Sequence, residues 1–313
     1  MSLAYHRHWL ASQRTPVPEI RHSFAGQTVI VTGSNAGLGF ASAKHYVTLG
    51  ASKVILAVRS IDRGNAAKAR IEDATGRAGV VEVWTLDMSS YASIKDFAEK
   101  AKTLDRVDVL LENAGVMSFD WNLAVDGSET TMAVNEAQHH TRPNHCVLRS
   151  PSFYQSRRGI KSGDVLASLD EEKKFNAFSR YSVTKLLELF YVRELAKDLD
   201  INTQGVVVNI ANPGMCYSDF GRDMGFVARS FLATVRWFIA RATPDGARTL
   251  VWPSTAGVAG HGKYSLDCEF SERAVSRFVR SEDGAKLQKT LYDGINTRLE
   301  KARPGIVKAA LGA

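Results

Sequence analysis

Thr28-Val29-Ile30-Val31-Thr32-Gly33-Ser34-Asn35-Ala36-Gly37-Leu38-Gly39 is the stretch that decides the fold of this 313-residue chain. Its first residues are apolar or β-branched, which is typical of a buried strand. The segment Phe40–Leu49 behind it has the pattern of a helix and ends at Gly50. Glycines between a first strand and a first helix let the backbone approach a pyrophosphate, and the helix N-terminus favours its negative charge. We therefore expect a dinucleotide-binding loop whose candidate contacts are Gly33, Ser34, Asn35, Gly37, Leu38 and Gly39.

Apolar runs alternate with helical patterns along the rest of the chain, which predicts an α/β fold with a Rossmann-type, doubly wound parallel sheet. The further predicted strands are Val54–Val58, Val80–Leu86, Val107–Leu111, Gly205–Ile210 and Gly262–Phe270. The further predicted helices are Arg63–Thr75, Tyr91–Thr103, Arg180–Leu199, Phe226–Ala242, Asp245–Ser254 and Gly284–Lys301. We expect one domain over 25–305, preceded by a loosely attached N-terminal arm (1–24) and followed by a C-terminal tail (306–313).

The composition narrows the class of protein. Hydrophobic residues make up 44% of the chain, which is enough for a full core. The net charge of +7 comes from dispersed cations, so we expect an anionic cofactor rather than nucleic acid as the partner. The three cysteines are far apart, which favours a reducing compartment, and no run is apolar enough for a membrane span or a secretory signal. We therefore expect a cytoplasmic protein.

Two side chains that follow predicted strands bear on the choice of dinucleotide. Arg59 follows the second strand, where an acidic residue would bind the ribose 2′-hydroxyl and a basic one accommodates a 2′-phosphate. The sequence therefore predicts NADP(H) as the cofactor. Asp87 follows the third strand and falls on the same rim of the sheet, because the carboxyl ends of parallel strands meet there.

Tyr181 and Lys185 form the candidate catalytic pair. Their spacing of four puts both side chains on one face of a predicted helix. A nearby cation stabilises the tyrosinate form, so the phenol can exchange a proton with an oxygen at the carbon that exchanges hydride. Both residues are also candidate cofactor contacts.

Taken together and in this order, these motifs resemble the short-chain dehydrogenase/reductase family over most of residues 24–305, and more loosely its fungal members that reduce ketones in secondary metabolism. The resemblance implies that Asp87 lies near the adenine, and that Asn113, Ala114 and Gly115 support the adenosine. It also implies that Pro213, Gly214 and Ser218 lie near the nicotinamide. Glu112 departs from the family, which usually has asparagine at that position.

The resemblance is interrupted between residues 136 and 163. The run Met132-Ala133-Val134-Asn135 resembles the start of the family's asparagine helix. In the family, that helix continues for several turns, and a fifth strand follows that ends in a relay serine. This segment is rich in histidine and poor in large apolar residues, so we expect the helix and strand to be disrupted. Two explanations remain open: natural loss of the serine, or a frame shift or misplaced exon boundary. Ser150, which follows Cys146-Val147-Leu148, is the weak candidate for that serine, and Ser152 is an alternative.

The leading hypothesis is an NADPH-dependent carbonyl reductase, or alcohol dehydrogenase in reverse, acting on an apolar secondary metabolite that is a ketone or an alcohol. Tyr181 would be the general acid, Lys185 would assist it and hold the ribose, and Asn135 would order a water relay. The alternative is a non-catalytic NADP(H)-binding protein acting as a sensor or partner subunit.

Neither the adjacent His139 and His140 nor His145 has metal-ligand spacing, so no metal is expected. The resemblance also implies a homodimer. The aromatic and methionine residues between 215 and 241 suggest an apolar substrate pocket: Phe220, Met224, Phe226, Phe231 and Trp237.

Overall fold

A computed structural model describes residues 10–124, 127, 129–136, 145–149, 166, 169, 171–217, 226–302 and 304–311. One eight-stranded sheet runs through the molecule in the order β3-β2-β1-β4-β5-β6-β7-β8. Neighbouring strands are parallel except for the last pair, β7 and β8. The predicted doubly wound parallel sheet is therefore confirmed. The strands are β1 (Thr28–Thr32), β2 (Lys53–Val58), β3 (Val81–Thr85), β4 (Val109–Glu112), β5 (His145–Arg149), β6 (Val207–Asn212), β7 (Tyr264–Leu266) and β8 (Glu269–Phe270).

Helices cover both faces of the sheet and bury alternate residues of each strand. The helices are α1 (Gly37–Thr48), α2 (Ile61–Thr75), α3 (Tyr91–Ala101), α4 (Thr130–Glu136), α5 (Ala177–Asp198), α6 (Ile201–Gln204), α7 (Phe226–Ile239), α8 (Thr243–Val251), α9 (Glu282–Ala302) and α10 (Ile306–Leu311). In β1, Val29 and Val31 belong to the apolar cluster beneath α1 and α8, whereas Ile30 belongs to the opposite cluster beneath α3, α5 and α9. This alternation explains why the strand sequences are apolar throughout.

The fifth strand forms within the segment that the sequence predicted to be disrupted. β5 pairs in parallel with β4 on one side and β6 on the other, and its central residues Cys146, Val147 and Leu148 are buried. The expectation that no strand could be buried between 136 and 163 is therefore wrong. Three apolar side chains are enough to bury this strand, because the neighbouring strands on both sides satisfy its backbone hydrogen bonds. The expected disruption of the helix stays a prediction, because α4 ends at Glu136 and residues 137–144 lie outside the described part.

Both ends of the chain are packed more closely than expected. Ser12 and Gln13 are buried, and Gln13 Oε1 accepts a hydrogen bond from the backbone N–H of Met215 at 2.8 Å. The arm is therefore not loosely attached at these residues. At the other end, the predicted tail contains helix α10, whose Leu311 packs against the core beneath α5 and α9. Long-range packing rather than local sequence holds both segments.

The last predicted strand, Gly262–Phe270, is instead a tight hairpin. β7 and β8 are antiparallel and are joined by Asp267 and Cys268, whose φ angles are 55° and 60°. Two consecutive residues with positive φ give the backbone twist that a two-residue hairpin needs. Sequence patterning missed the turn because neither residue is the usual glycine or asparagine.

Candidate cofactor and active site

A cleft of about 640 Å³ lies along the carboxyl edge of the sheet, where ligands bind in folds of this kind. It brings together most of the candidate cofactor residues. Those that line it are Gly33, Asn35, Gly37, Leu38, Gly39, Arg59, Asp87, Asn113, Ala114 and Gly115. Ser34 is the exception in the glycine loop, since its buried hydroxyl donates to the carbonyl of Val31 at 2.8 Å.

Asn113 ties the glycine loop to the end of β4. Its side-chain Nδ2 donates to the carbonyl oxygens of Thr32 at 2.9 Å and Gly33 at 3.2 Å. The backbone N–H groups of Asn113 and Ala114 both donate to the Thr32 hydroxyl oxygen, at 3.0 and 2.9 Å. These four bonds fix the loop before any ligand arrives, which lowers the ordering cost of binding.

Glycine is required at the start of α1 by close packing. A Cβ at Gly39 would lie 2.5 Å from the carbonyl oxygen of Gly33 and would also collide with the Asn113 side-chain amide. Gly33 itself has a φ of 63°, in the region that disfavours other residues. The loop therefore keeps its backbone open toward the cleft, as a pyrophosphate site requires.

Two arginines and one aspartate line the cleft beyond the ends of β2 and β3. Arg59 and Arg63 both line the cleft and are exposed, so their guanidinium groups remain hydrated. Asp87 Oδ1 accepts hydrogen bonds from the backbone N–H of Ser89 at 2.9 Å and from its hydroxyl at 2.6 Å. The aspartate is held by its own turn, whereas the two arginines are available to an anion.

Asn135 bridges two structural elements. Its Oδ1 accepts from the N–H of Val116 at 3.0 Å, and its Nδ2 donates to the Val116 carbonyl at 3.2 Å and the Thr184 hydroxyl at 3.0 Å. The side chain is fully buried. The amide therefore joins the loop after β4 to α5, beside the predicted catalytic pair.

Tyr181 and Lys185 lie on one face of α5 as predicted, with Lys185 Nζ 5.6 Å from the centre of the Tyr181 ring. Tyr181 is only 2% exposed and packs with Met117 and Ala177. Lys185 is fully buried and makes an ion pair with Glu188, one turn along the helix. Neither residue is among those that line the cleft. The pair thus lies behind the cleft wall, next to Gly115.

Burial shapes the protonation of the groups around Lys185. It lowers the pKa of Lys185 and raises that of Glu188, while the attraction between the two partly offsets both shifts. Burial also raises the pKa of Glu112, at the end of β4, well above its usual range. The pKa of Cys146 in β5 is raised well above normal by burial and by the neighbouring Glu112. Burial therefore favours the neutral form of the Glu112 carboxyl.

Of the expected nicotinamide contacts, Gly214 lies beside the N-terminal arm. Gly214 is next to Gln13, whose Oε1 accepts from the following N–H, and Pro213 is buried. Sequence reasoning gave no sign that Gln13 reaches this position, because the contact joins residues about two hundred positions apart. Ser150, Ser152 and Ser218 lie outside the described residues. Of the expected pocket aromatics, Trp237 is 72% exposed, while Phe220 and Met224 lie outside the described part.

A second, larger cavity of about 770 Å³ lies against the other side of α1. Phe40, Lys44, Arg70 and Tyr217 are among its lining residues, and Gly37 is the one predicted cofactor contact that it shares. We assign the cofactor to the smaller cleft because the glycine loop, Arg59 and Asp87 converge there. Within the described residues, no cluster of histidine, cysteine and carboxylate side chains could hold a metal ion, and no helix is long and apolar enough to cross a membrane.

The comparison with known proteins agrees with this geometry. The family model for short chain dehydrogenases matches residues 27–225. The chain belongs to the short chain dehydrogenase family. The short chain dehydrogenase/reductase dmxR8 of Cryptosporiopsis sp. (strain 8999) is 35% identical to it over 309 residues, covering 91% of this chain and 94% of the relative. The predicted resemblance to fungal members is thereby confirmed.

Two solved structures share the fold of this short chain dehydrogenase. A protein from Mycobacterium paratuberculosis has a TM-score of 0.62 and 25% identity, and the match covers 88% of this chain and 95% of the other. A short chain dehydrogenase from Burkholderia cenocepacia, solved in complex with NADP, has a TM-score of 0.56 and 22% identity, with 78% and 96% covered. The chain therefore has a fold that is already known from solved structures.

Three polar residues of this dehydrogenase were missed by the sequence analysis. Arg63 follows Arg59 by one helical turn, so its spacing could have revealed it. Glu188 follows Lys185 at a spacing of three and could likewise have been predicted to face it. Arg149 ends β5 and lines the cleft, but its strand was itself not expected.

Proposed function

We propose that the protein is an NADPH-dependent carbonyl reductase, or an alcohol dehydrogenase in the reverse direction. The observation that carries the proposal is the position of the Tyr181–Lys185 pair behind Gly115, at the end of a cleft lined by the glycine loop. The cradle at Gly39, which has no room for a side chain, fits a pyrophosphate. The cofactor supplies the hydride when bound, and Gly33 to Gly39, Arg59, Asp87 and Asn113 to Gly115 would hold it.

The chain's own residues would supply the proton. Tyr181 would donate its phenolic proton to the carbonyl oxygen while the carbonyl carbon accepts the hydride, so that a ketone becomes an alcohol. Lys185 would stabilise the resulting tyrosinate. Asn135 would hold α4, α5 and the Val116 loop in register through its three hydrogen bonds. The ion pair with Glu188 partly offsets the lowering of the Lys185 pKa by burial.

Replacement of Tyr181 by phenylalanine tests the mechanism. We expect Tyr181→Phe to lower kcat by about 10²–10⁴-fold, since proton transfer contributes that much. NADPH affinity, followed by the fluorescence of the bound cofactor, should change little. Tyr217→Phe, at an exposed tyrosine outside the cleft, is the control for loss of a phenol. Full activity of Tyr181→Phe on a panel of aryl and cyclic ketones would overturn the mechanism.

The preference for NADPH rests on Arg59 and Arg63 at the end of the cleft. Two exposed guanidinium groups favour a 2′-phosphate through charge-assisted hydrogen bonds. We expect Arg59→Ser to weaken NADPH binding about tenfold or more and to leave NADH binding nearly unchanged. Equal Kd values for NADPH and NADH in the unmodified protein would contradict the preference.

A second candidate is a non-catalytic NADP(H)-binding protein. The observation that favours it is the burial of Tyr181 and Lys185, neither of which lines the cleft. A protein that binds NADPH tightly, yet shows no turnover with ketones or alcohols, would support this candidate. In that case Tyr181→Phe would have no kinetic effect to measure, and binding alone would be the function.

A further inference from the structure

Arg149 brings a cation to the catalytic end of the cleft. It is the last residue of β5, opposite Ala211 of β6, and its half-buried side chain lines the cleft. A Cβ at Gly115 would lie 3.5 Å from Arg149 Nη2 and 3.6 Å from Lys185 Nζ. Arg149 and Lys185 therefore approach the same point beside Gly115.

The guanidinium group of Arg149 makes no ion pair with any described residue. Across residues 10–124, 129–136, 145–149, 171–217 and the other described positions, no carboxylate lies within 4 Å of its guanidinium group, and its buried Nε has no hydrogen-bond partner. Glu188 makes its ion pair with Lys185 and also attracts Arg149, while burial raises the pKa of Glu112 well above its usual range and so favours its neutral form. Among the described residues, Arg149 and Lys185 thus share one carboxylate, Glu188, that is paired with only one of them.

The cofactor's own phosphates are not well placed to balance the charge of Arg149. The glycine loop follows β1, and β4 separates β1 from β5. Because neighbouring strands lie about 4.8 Å apart, the carboxyl ends of β1 and β5 are separated by about 10 Å. Arg149 thus lies on the side of Tyr181 and Lys185, where the reacting carbonyl would be bound. An arginine presents a planar pair of donors that matches a carboxylate.

We propose that Arg149 is a specificity-determining residue that binds a carboxylate group of the substrate. This inference rests on the proposed function, because it takes the Tyr181 end of the cleft as the place of the reacting carbonyl. It refines the expected apolar ketone to a keto acid, in which an apolar body carries one acidic group. A neutral residue at this position would leave the same pocket without a counter-charge for that group.

The test is equilibrium binding of a matched pair of compounds that cannot be reduced, 4-phenylbutanoate and 4-phenylbutanamide. Each is titrated by calorimetry into the protein saturated with NADPH, so that the readout does not depend on turnover. In the unmodified protein we expect the acid to bind about tenfold more tightly than the amide, as a charge-assisted contact provides. In Arg149→Met this ratio should fall to about one, and Arg149→Lys should retain part of it. Arg280→Met, at an exposed arginine that does not line the cleft, should leave the ratio unchanged.

The outcomes separate this inference from the proposed function. Failure of the unmodified protein to bind NADPH, measured first by fluorescence, would overturn the proposed function. With NADPH bound, equal affinity for the acid and the amide, no binding of the acid, or a ratio unaffected by Arg149→Met would overturn the role of Arg149. If Arg149→Met instead weakened NADPH binding and left the ratio intact, the guanidinium would belong to the cofactor's phosphates, which also contradicts the proposal.

Discussion

Single residues at the carboxyl ends of β4 and β5 determine the chemistry available to the site. The side-chain amide of Asn113 donates hydrogen bonds to the glycine loop, so it supports cofactor binding by holding the loop in place. Glu112, next to it, points into the core and borders Cys146 and Glu188. The last residue of β4 and the residue that follows it thus point to opposite sides of the sheet, because side chains alternate along extended backbone.

The raised pKa of Glu112 predicts how stability depends on pH. The folded chain retains a proton on this carboxyl that the unfolded chain releases above about pH 4.3, so stability falls as pH rises from there to the raised pKa. In that range each pH unit costs up to about 1.4 kcal/mol. Glu112→Gln removes the titration, so its free energy of unfolding relative to the unmodified protein should increase from pH 5 to pH 8.

Urea unfolding at pH 5, 6, 7 and 8 measures this difference. Glu171→Gln, at an exposed carboxyl in a surface ion pair, is the control and should follow the unmodified protein at every pH. A constant difference between Glu112→Gln and the unmodified protein across the range would show that Glu112 does not titrate between the two states.

At the scale of elements, β5 is the strand on which the two halves of the sheet depend. It joins β4, which carries the glycine-loop side, to β6, which carries the segment after Asn212. Its short apolar run buries Cys146, Val147 and Leu148 between the two helical layers. The strand also places Arg149 in the cleft, so the proposed substrate specificity depends on the formation of β5.

Truncation of Leu148 tests the role of β5 as a central strand. Its side chain is 1% exposed and belongs to the cluster beneath α5 and α9. Leu148→Ala should lower the free energy of unfolding by about 2–5 kcal/mol through lost burial and the resulting cavity. Leu123→Ala, at a leucine that is 57% exposed, should change it by less than about 0.5 kcal/mol. Equal effects of the two changes in a urea titration would contradict the burial of β5.

The N-terminal arm is a second element whose role depends on long-range contacts. In addition to Gln13, the Ser12 carbonyl accepts a hydrogen bond from Arg241, and the Arg241 guanidinium also pairs with Asp267 in the final hairpin. The arm therefore connects the segment after β6 with the β7–β8 turn. An arm without hydrophobic periodicity can still be fixed by a few buried polar contacts.

At the scale of the whole molecule, the parallel sheet collects residues from distant parts of the chain at one edge. The glycine loop, Arg59, Asp87 and Asn113 to Gly115 follow four different strands and meet in one cleft. This convergence was predictable, because strand and helix order fix which ends of parallel strands face the same way. The depth of that cleft was not predictable, since it depends on how α4, α5 and the loop after β4 pack.

The sequence alone determined the alternating strands and helices, the glycine loop and the pairing of Tyr181 with Lys185, because these depend on local periodicity and on spacing within one helix. Only the tertiary structure decided that β5 exists, that Gln13 reaches Gly214, and that Lys185 and Glu188 are both buried. Burial, hydrogen bonds and charge balance come from neighbours far apart in sequence. The same reason explains Arg149: its place beside Gly115 follows from strand order, which no local pattern around residue 149 records.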